Sequence, residues 1–327
     1  MSQTAKVQAK APRAGKTSSS LYIAGLALVA VYLFWGGTYL GMKVAIESMP
    51  PFLMAGARFF SAGLVLYIIS RLTGARRPEF REWSSAAIVG ALLLLGGNGM
   101  VAWAEQRVSS SVASLIIAAV PVWMLLLGWF GKNGKRPSTG VIAGIVLGFL
   151  GIVVLVLQPG QDSAAGKGFD IIGITALLAA SISWAAGSMY SRSAKLPGSP
   201  LMSTAAQMLT GGVLLIIFSY FTGDWGELEV AQITARSYLA FGYLVLFGSI
   251  VGYTAYIWLL KNAEPSLAST YAFVNPVVAV LLGWLLAGEQ LTAGTWAAAV
   301  IIIAAVVIVT VFRHRVQGGK RKDSSNA

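Results

Sequence analysis

The sequence predicts an all-α integral membrane protein of ten transmembrane helices, built as two five-helix repeats of inverted topology. Three observations predict it. Charged residues make up 11% of the chain, against about 25% in soluble domains. Charge-poor runs long enough to cross a bilayer recur ten times. A segment of the first half reappears in the second, five spans later.

A crossing helix needs about 20 residues with few or no charges. Uncharged runs lie at 17–42, 83–104, 108–131, 137–161, 171–191, 196–223, 237–260, 265–288 and 290–312. A tenth, 48–70, is interrupted once, by Arg58. The apolar stretches inside them predict helices over 21–43, 51–71, 84–104, 109–130, 139–158, 171–191, 200–221, 237–260, 266–287 and 293–312. Continuous runs of this length are about twice what a barrel strand needs and lack its alternation. Residues 21–158 and 171–312 form the two halves, with disordered tails expected at 1–20 and 313–327. The first apolar run is too long for a removable signal peptide and has no credible cleavage site.

Lysine and arginine set the expected orientation. With the N-terminus in the cytoplasm, 19 basic residues fall inside and four (Lys43, Arg107, Lys167 and Arg236) outside, with Arg58 buried. Both termini are therefore expected in the cytoplasm. The net charge of +12 reads as a topology signal and an attraction to anionic lipid, so the expected partners are the bilayer and a small solute, not nucleic acid.

The repeat pairs 111–129 with 266–284 at an offset of 155, with nine identities in 19 positions, among them Ser111, Ser114, Pro121, Gly128 and Trp129. Spans one and six share WGGTY (35–39) and WAAGSMY (184–190). Five intervening spans is an odd number, so the second copy must cross in the opposite sense. The exits agree: cationic KNGKR follows the first copy and AGEQ, with Glu289, the second. Inverted repeats place a substrate site between the halves near the midplane and permit alternating access.

WGGTY, the arginine in MAGARFFSAG (54–63) and the closing YAFVNPVVAVLLGWLLAGEQLT (271–292) resemble the drug/metabolite transporter superfamily, and within it the EamA family, over roughly residues 20–315. The resemblance implies a bacterial inner-membrane exporter of amino acids or other small metabolites. One departure stands out: Gly288-Glu289 is matched in the first copy by Asn133-Gly134.

Polar and aromatic positions recur on single helix faces. Tyr32, Trp35 and Tyr39 share a face of span one, Ser181, Trp184 and Ser188 one of span six, Ser249, Tyr253 and Tyr256 one of span eight, and Tyr271 and Asn275 one of span nine. With Asn98 of LGGNGM (95–100), these are the candidate cavity residues: Trp35, Tyr39, Asn98, Trp184, Ser188, Tyr253, Tyr271 and Asn275. The competing reading is interhelical hydrogen bonding by small polar residues. Arg58 reads as a counter-charge for a carboxylate or as a structural donor near the outer mouth, seven residues beyond Pro51 and too shallow for a central site. Pro121 and Pro276 interrupt spans four and nine at matched positions and are candidate hinges. Trp83, Trp129, Trp225, Trp258, Trp284 and Trp296 fit an interfacial belt. Trp123 lies deeper.

No acidic residue lies mid-span. Glu105 is the best candidate for a proton relay, against an ordinary interfacial carboxylate beside Arg107. Facilitated diffusion or exchange is therefore expected over tight proton coupling. No cofactor or metal is expected: cysteine is absent, the one histidine, His314, lies in the tail, and there is no phosphate-binding G-x-x-x-x-G-K-[ST]. The same facts leave little from which to build a membrane enzyme. An exchanger of nucleotide-linked sugars would need a strongly basic cavity, and a pore a charged or carbonyl filter. The oligomeric state is expected to be a monomer or a weak homodimer.

Overall fold

A computed structural model describes residues 18–130, 139–156, 170–262, 271–289 and 291–323. The described residues contain helices and turns and no strand. In chain order the helices are α1 (Ser18–Ala45), α2 (Pro51–Leu72), α3 (Phe80–Ala104), α4 (in two pieces, Ser110–Ile117 and Val120–Phe130) and α5 (Thr139–Val156). The second half holds α6 (Ile171–Ser191), α7 (Pro200–Phe221), α8 (Ala235–Tyr243, Leu244–Val251 and Gly252–Asn262 end to end), α9 (Tyr271–Ala287) and α10 (Ala293–Asp323). Among the described residues, seven helices (α1–α4 and α6–α8) are long and apolar enough to cross a membrane, and α5, α9 and α10 contain shorter apolar stretches.

The helices begin and end for local reasons. Pro51 and Pro200 open α2 and α7, where a missing N–H costs nothing. Ser109, Asp170, Ser199 and Thr234 cap α4, α6, α7 and α8 by accepting from main-chain N–H groups. The expected bounds hold to within a few residues in most helices, and residues 266–270 of span nine lie outside the described residues. The tail is a correction: α10 continues to Asp323 instead of ending at 312. No proline interrupts the segment, and Arg, Gln and Lys are good helix formers, so charge alone does not stop the ladder. Residues 1–17 lie outside the described residues.

Packing repeats between the halves. α2 lies along α7 and α5 along α10; α1 packs on α8 and α9, as α6 packs on α3 and α4; α3 packs on α7, as α8 packs on α2. Exchanging each helix for the one five places on returns these same principal pairings. Both α3 and α8 carry a π-helical segment, Ala91–Gly99 and Leu244–Val251. A π segment leaves main-chain groups in need of new partners and is often found at functional sites. At the centre of the α2–α7 seam, Gly56, Gly63 and Gly212 let the two backbones touch: a β-carbon on Gly212 would stand 2.6 Å from the Phe60 nitrogen.

Loop residues tie the ends of the helices together. Gly223, at φ +88°, turns the chain so that the buried Asp224 accepts from the Leu53 N–H in the first turn of α2, at 2.9 Å, and from Thr222 Oγ, at 2.9 Å. We expect Asp224→Ala to cost about 1–2 kcal/mol, as for loss of a helix N-cap, seen as a lower unfolding temperature in detergent, with Asp224→Asn retaining most of it. At the opposite end, Arg76, Glu82, Glu79 and Lys195 form a chain of ion pairs at 2.5–3.6 Å joining the α2–α3 turn to the α6–α7 turn. Glu82 is buried but Arg76, Glu79 and Lys195 are exposed, so the exposed pairs contribute little stability.

Candidate functional site

The largest convergence of sequence-predicted residues is a cavity of about 80 Å³ between the halves. One buried water needs ~10–15 Å³, so the space suits a handful of waters, and a larger solute requires the helices to part. Trp35, Thr38, Tyr39 and Met42 of α1, Arg58 and Phe59 of α2, and Gly97, Asn98 and Val101 of α3 form one wall. Ser114, Ile117, Ala118 and Val120 of α4, Ala180 and Trp184 of α6, Gly248 and Tyr253 of α8, and Tyr271, Asn275 and Pro276 of α9 complete it.

Trp35 is the centre of an aromatic cluster. Its ring lies 4.9 Å from Tyr256, 5.4 Å from Tyr271, 5.8 Å from Tyr253 and 6.2 Å from Trp184 between centroids. Most of these contacts are edge-on, the arrangement that ring quadrupoles favour. The Trp35 indole N–H donates to the Gly248 carbonyl at 3.0 Å, satisfying a group of the α8 π segment. In the other half the Ser183 hydroxyl donates to Leu92 O of the α3 π segment at 2.7 Å. The two tryptophans also lean on matched glycines. Trp35 Nε1 lies 2.6 Å from where a β-carbon on Gly252 would stand, and Trp184 Cε3 2.9 Å from one on Gly97. Gly97 and Gly252 are 155 residues apart, the same offset as the sequence repeat.

The polar groups are few. Arg58 is buried, its Nε donates to Ser249 Oγ at 2.9 Å, and the guanidinium lies 4.6 Å from the Phe59 ring centroid. The expectation that Arg58 is too shallow for a central site is overturned: α2 meets the π segment of α8 where Gly248 leaves room for the guanidinium, so Arg58 reaches the cavity. Asn275 Oδ1 is buried without a hydrogen-bond partner. Asn98 Nδ2 donates weakly to Leu93 O, at 3.4 Å.

Other expected residues lie elsewhere. Ser188, one turn beyond Trp184, is not among the lining residues. Pro121 sits in the first turn of the second piece of α4, just after the break at Ala118-Ala119, and does not line the cavity, whereas Pro276 lies inside α9 and does. Trp123 packs edge-on against Phe149 of α5, away from the site. Glu105 is fully buried, and Arg107 pairs instead with Asp170 at 3.0 Å. Asp170, which also accepts from the Gly173 N–H, is held below the usual carboxylate range by that bond and by Arg107.

Two functional-looking contacts were missed in the sequence. Glu289, past the end of α9, accepts from the N–H and hydroxyl of both Ser110 and Ser111 at 2.5–3.2 Å. The carboxylate thereby caps the first turn of α4, a favourable place for negative charge. Lys43 of α1 donates to the carbonyls of Glu105 and Val108 at 2.5 and 3.2 Å. The signals were present as the serine pair opening span four and the lone acid of AGEQ, but nothing local links residues 179 apart.

An apolar helical assembly holding a small aromatic and polar cavity between two repeats defines a membrane protein of the transporter class. The chain belongs to the EamA-like transporter family, which matches it twice, over residues 22–157 and 171–311. It is 41% identical over 290 residues to the uncharacterized inner membrane transporter YedA of Escherichia coli (strain K12), covering 88% of this chain and 90% of that one. It is 24% identical to the uncharacterized transporter YoaV of Bacillus subtilis (strain 168), over 87% and 96% of the two chains. A crystal structure 21% identical in sequence superposes with a TM-score of 0.62 over 91% of this chain and 99% of the other, a likeness of fold.

Proposed function

We propose that the protein is a secondary transporter that exports amino acids or similarly small amphipathic metabolites across the bacterial inner membrane by alternating access. In this reading ten helices cross the bilayer in two halves of opposite sense, with both termini cytoplasmic and the Glu289 end facing outward. The observation that carries it is a cavity walled by equivalent elements of both halves, with Trp35 and Trp184 seated on Gly252 and Gly97. Rocking one half against the other would open such a cavity to each side in turn. The lysine and arginine distribution supports the orientation, and the inner-membrane assignment of the 41% identical relative supports the location.

In the site, Trp35, Tyr39, Trp184, Tyr253 and Tyr271 enclose the apolar part of the solute. Arg58 faces its carboxylate, and the unpartnered Asn275 Oδ1 accepts from its ammonium. Asn98, and Ser188 once the helices part, supply further polar contacts, and Pro121 and Pro276 provide the bend. The test is counterflow in proteoliposomes with a panel of labelled amino acids: internal unlabelled solute should drive a transient overshoot of labelled uptake. Uptake that never exceeds equilibration identifies a pore and overturns the carrier reading.

A further inference from the structure

We propose that Glu105 is a proton-binding site that ties closure of the outer mouth to uptake of a proton from the outside; the coupling half of this inference rests on the alternating-access reading above. Glu105 follows the last turn of α3 and is fully buried, and neither carboxyl oxygen has a hydrogen-bond partner. An ionised carboxylate so placed would be costly, and a buried acid escapes that cost by holding its proton.

The surroundings point the same way. From α1, Lys43 turns its amine to the main-chain carbonyls of Glu105 and Val108 and makes no ion pair with the carboxylate; Tyr39 lies one turn further in. Arg58 on α2 acts on Glu105 electrostatically but spends its Nε on Ser249. Beyond α9, Glu289 repels a charge on Glu105 and is itself held by Ser110 and Ser111. On its own turn, Arg107 is engaged by Asp170. Burial and Glu289 therefore act against a charge on Glu105, and although Lys43 and Arg58 stay charged and favour one, neither is hydrogen-bonded to its carboxyl oxygens while the mouth is shut.

The closure also sits around this residue. Lys43 fastens α1 to the α3–α4 turn, and Glu289 fastens the end of α9 to the start of α4. When α9 leaves α4, water reaches the carboxyl and it ionises. The cavity lining stops at Tyr39, Met42 and Val101, one turn short of Glu105, so the proton exchanges with the outer face only. The sign follows: the shut mouth binds one proton more than the open one, so acid outside favours closure and alkali outside favours opening.

Two measurements test this. Infrared spectra of the protein in lipid bilayers near neutral pH should show a neutral-carboxyl C=O stretch that is lost in Glu105→Gln and shifted in Glu105→Asp. The absence of such a difference means Glu105 is ionised and overturns the proposal. The chain has no cysteine, so Val112→Cys, buried in the first turns of α4, introduces a single thiol behind the mouth. Its reaction with a membrane-impermeant maleimide, normalised to the exposed Gln106→Cys, should rise by up to about tenfold per unit of external pH, the limit for one linked proton. It should be flat in Glu105→Gln and indifferent to internal pH. An unchanged slope in Glu105→Gln, or a response to internal pH alone, overturns the proposal. No labelling at any external pH, with the infrared band present, overturns the coupling and indicts the alternating-access reading while leaving the buried proton in place.

Discussion

Trp35→Ala is expected to lower transport at least tenfold and to destabilise the protein by about 3–5 kcal/mol, the usual range for truncating a buried tryptophan. Trp35 is 8% exposed and meets four aromatic rings, so truncation opens a void at the centre of the site. It also strips the Gly248 carbonyl of its donor, and an unsatisfied buried carbonyl alone costs ~1–3 kcal/mol. Trp35→Phe separates the two effects, since it keeps a ring and removes the N–H. Thermal unfolding in detergent and counterflow in proteoliposomes read stability and transport respectively. Wild-type values of both for Trp35→Ala would show that the aromatic cluster is neither a structural keystone nor a site.

Gly212→Val is expected to be as damaging through packing alone. A β-carbon at Gly212 would lie 2.6 Å from Phe60 N and 2.9 Å from Phe60 Cα, and the neighbouring Gly56 and Gly63 face main-chain nitrogens of α7 at 3.0 and 2.8 Å. Side chains can rotate out of a clash, but a backbone can yield only by moving the whole helix. Overpacking a well-fitted core costs ~1–3 kcal/mol and more where relaxation is blocked, so we expect about 3 kcal/mol and a sharp fall in folded yield. Gly25→Val is the control, because nothing lies within 4 Å of a β-carbon there. Equal unfolding temperatures for the two variants would mean that close contact between α2 and α7 is not what holds the halves together.

How much of this was legible in the sequence depended on whether the signal was local. The bounds of α6 and α7 follow from charges and prolines that stand at their ends, and the structure repeats them. The pairing of Trp35 with Trp184 was visible because WGGTY and WAAGSMY are short contiguous patterns. The π segments were half visible. LGGNGM marks a weak point in α3, but LVLFGSIV in α8 reads as an ordinary apolar helix. The depth of Arg58 was misjudged because counting residues from Pro51 measures distance along one helix and says nothing of where a neighbour comes close. Glu105 and Glu289 were harder still. Each sits at a span edge, where carboxylates are common, and only the folding-in of α1 and α9 decides that one is sealed from water and the other clamped.

The pairing of α5 with α10 has a mechanical consequence. Their principal contacts are with each other, reinforced where Ile301 and Ile302 press on Gly151, and Ala298, Ala299 and Ile302 of α10 anchor the pair in the buried core shared with α1, α3, α4 and α6. None of the cavity-lining residues comes from either helix. On the proposed alternating-access reading the two can move as one rigid pair, fastened to the core through α10. On that reading the gripping of solute falls to the helices that line the cavity, and α5 and α10 serve as scaffold.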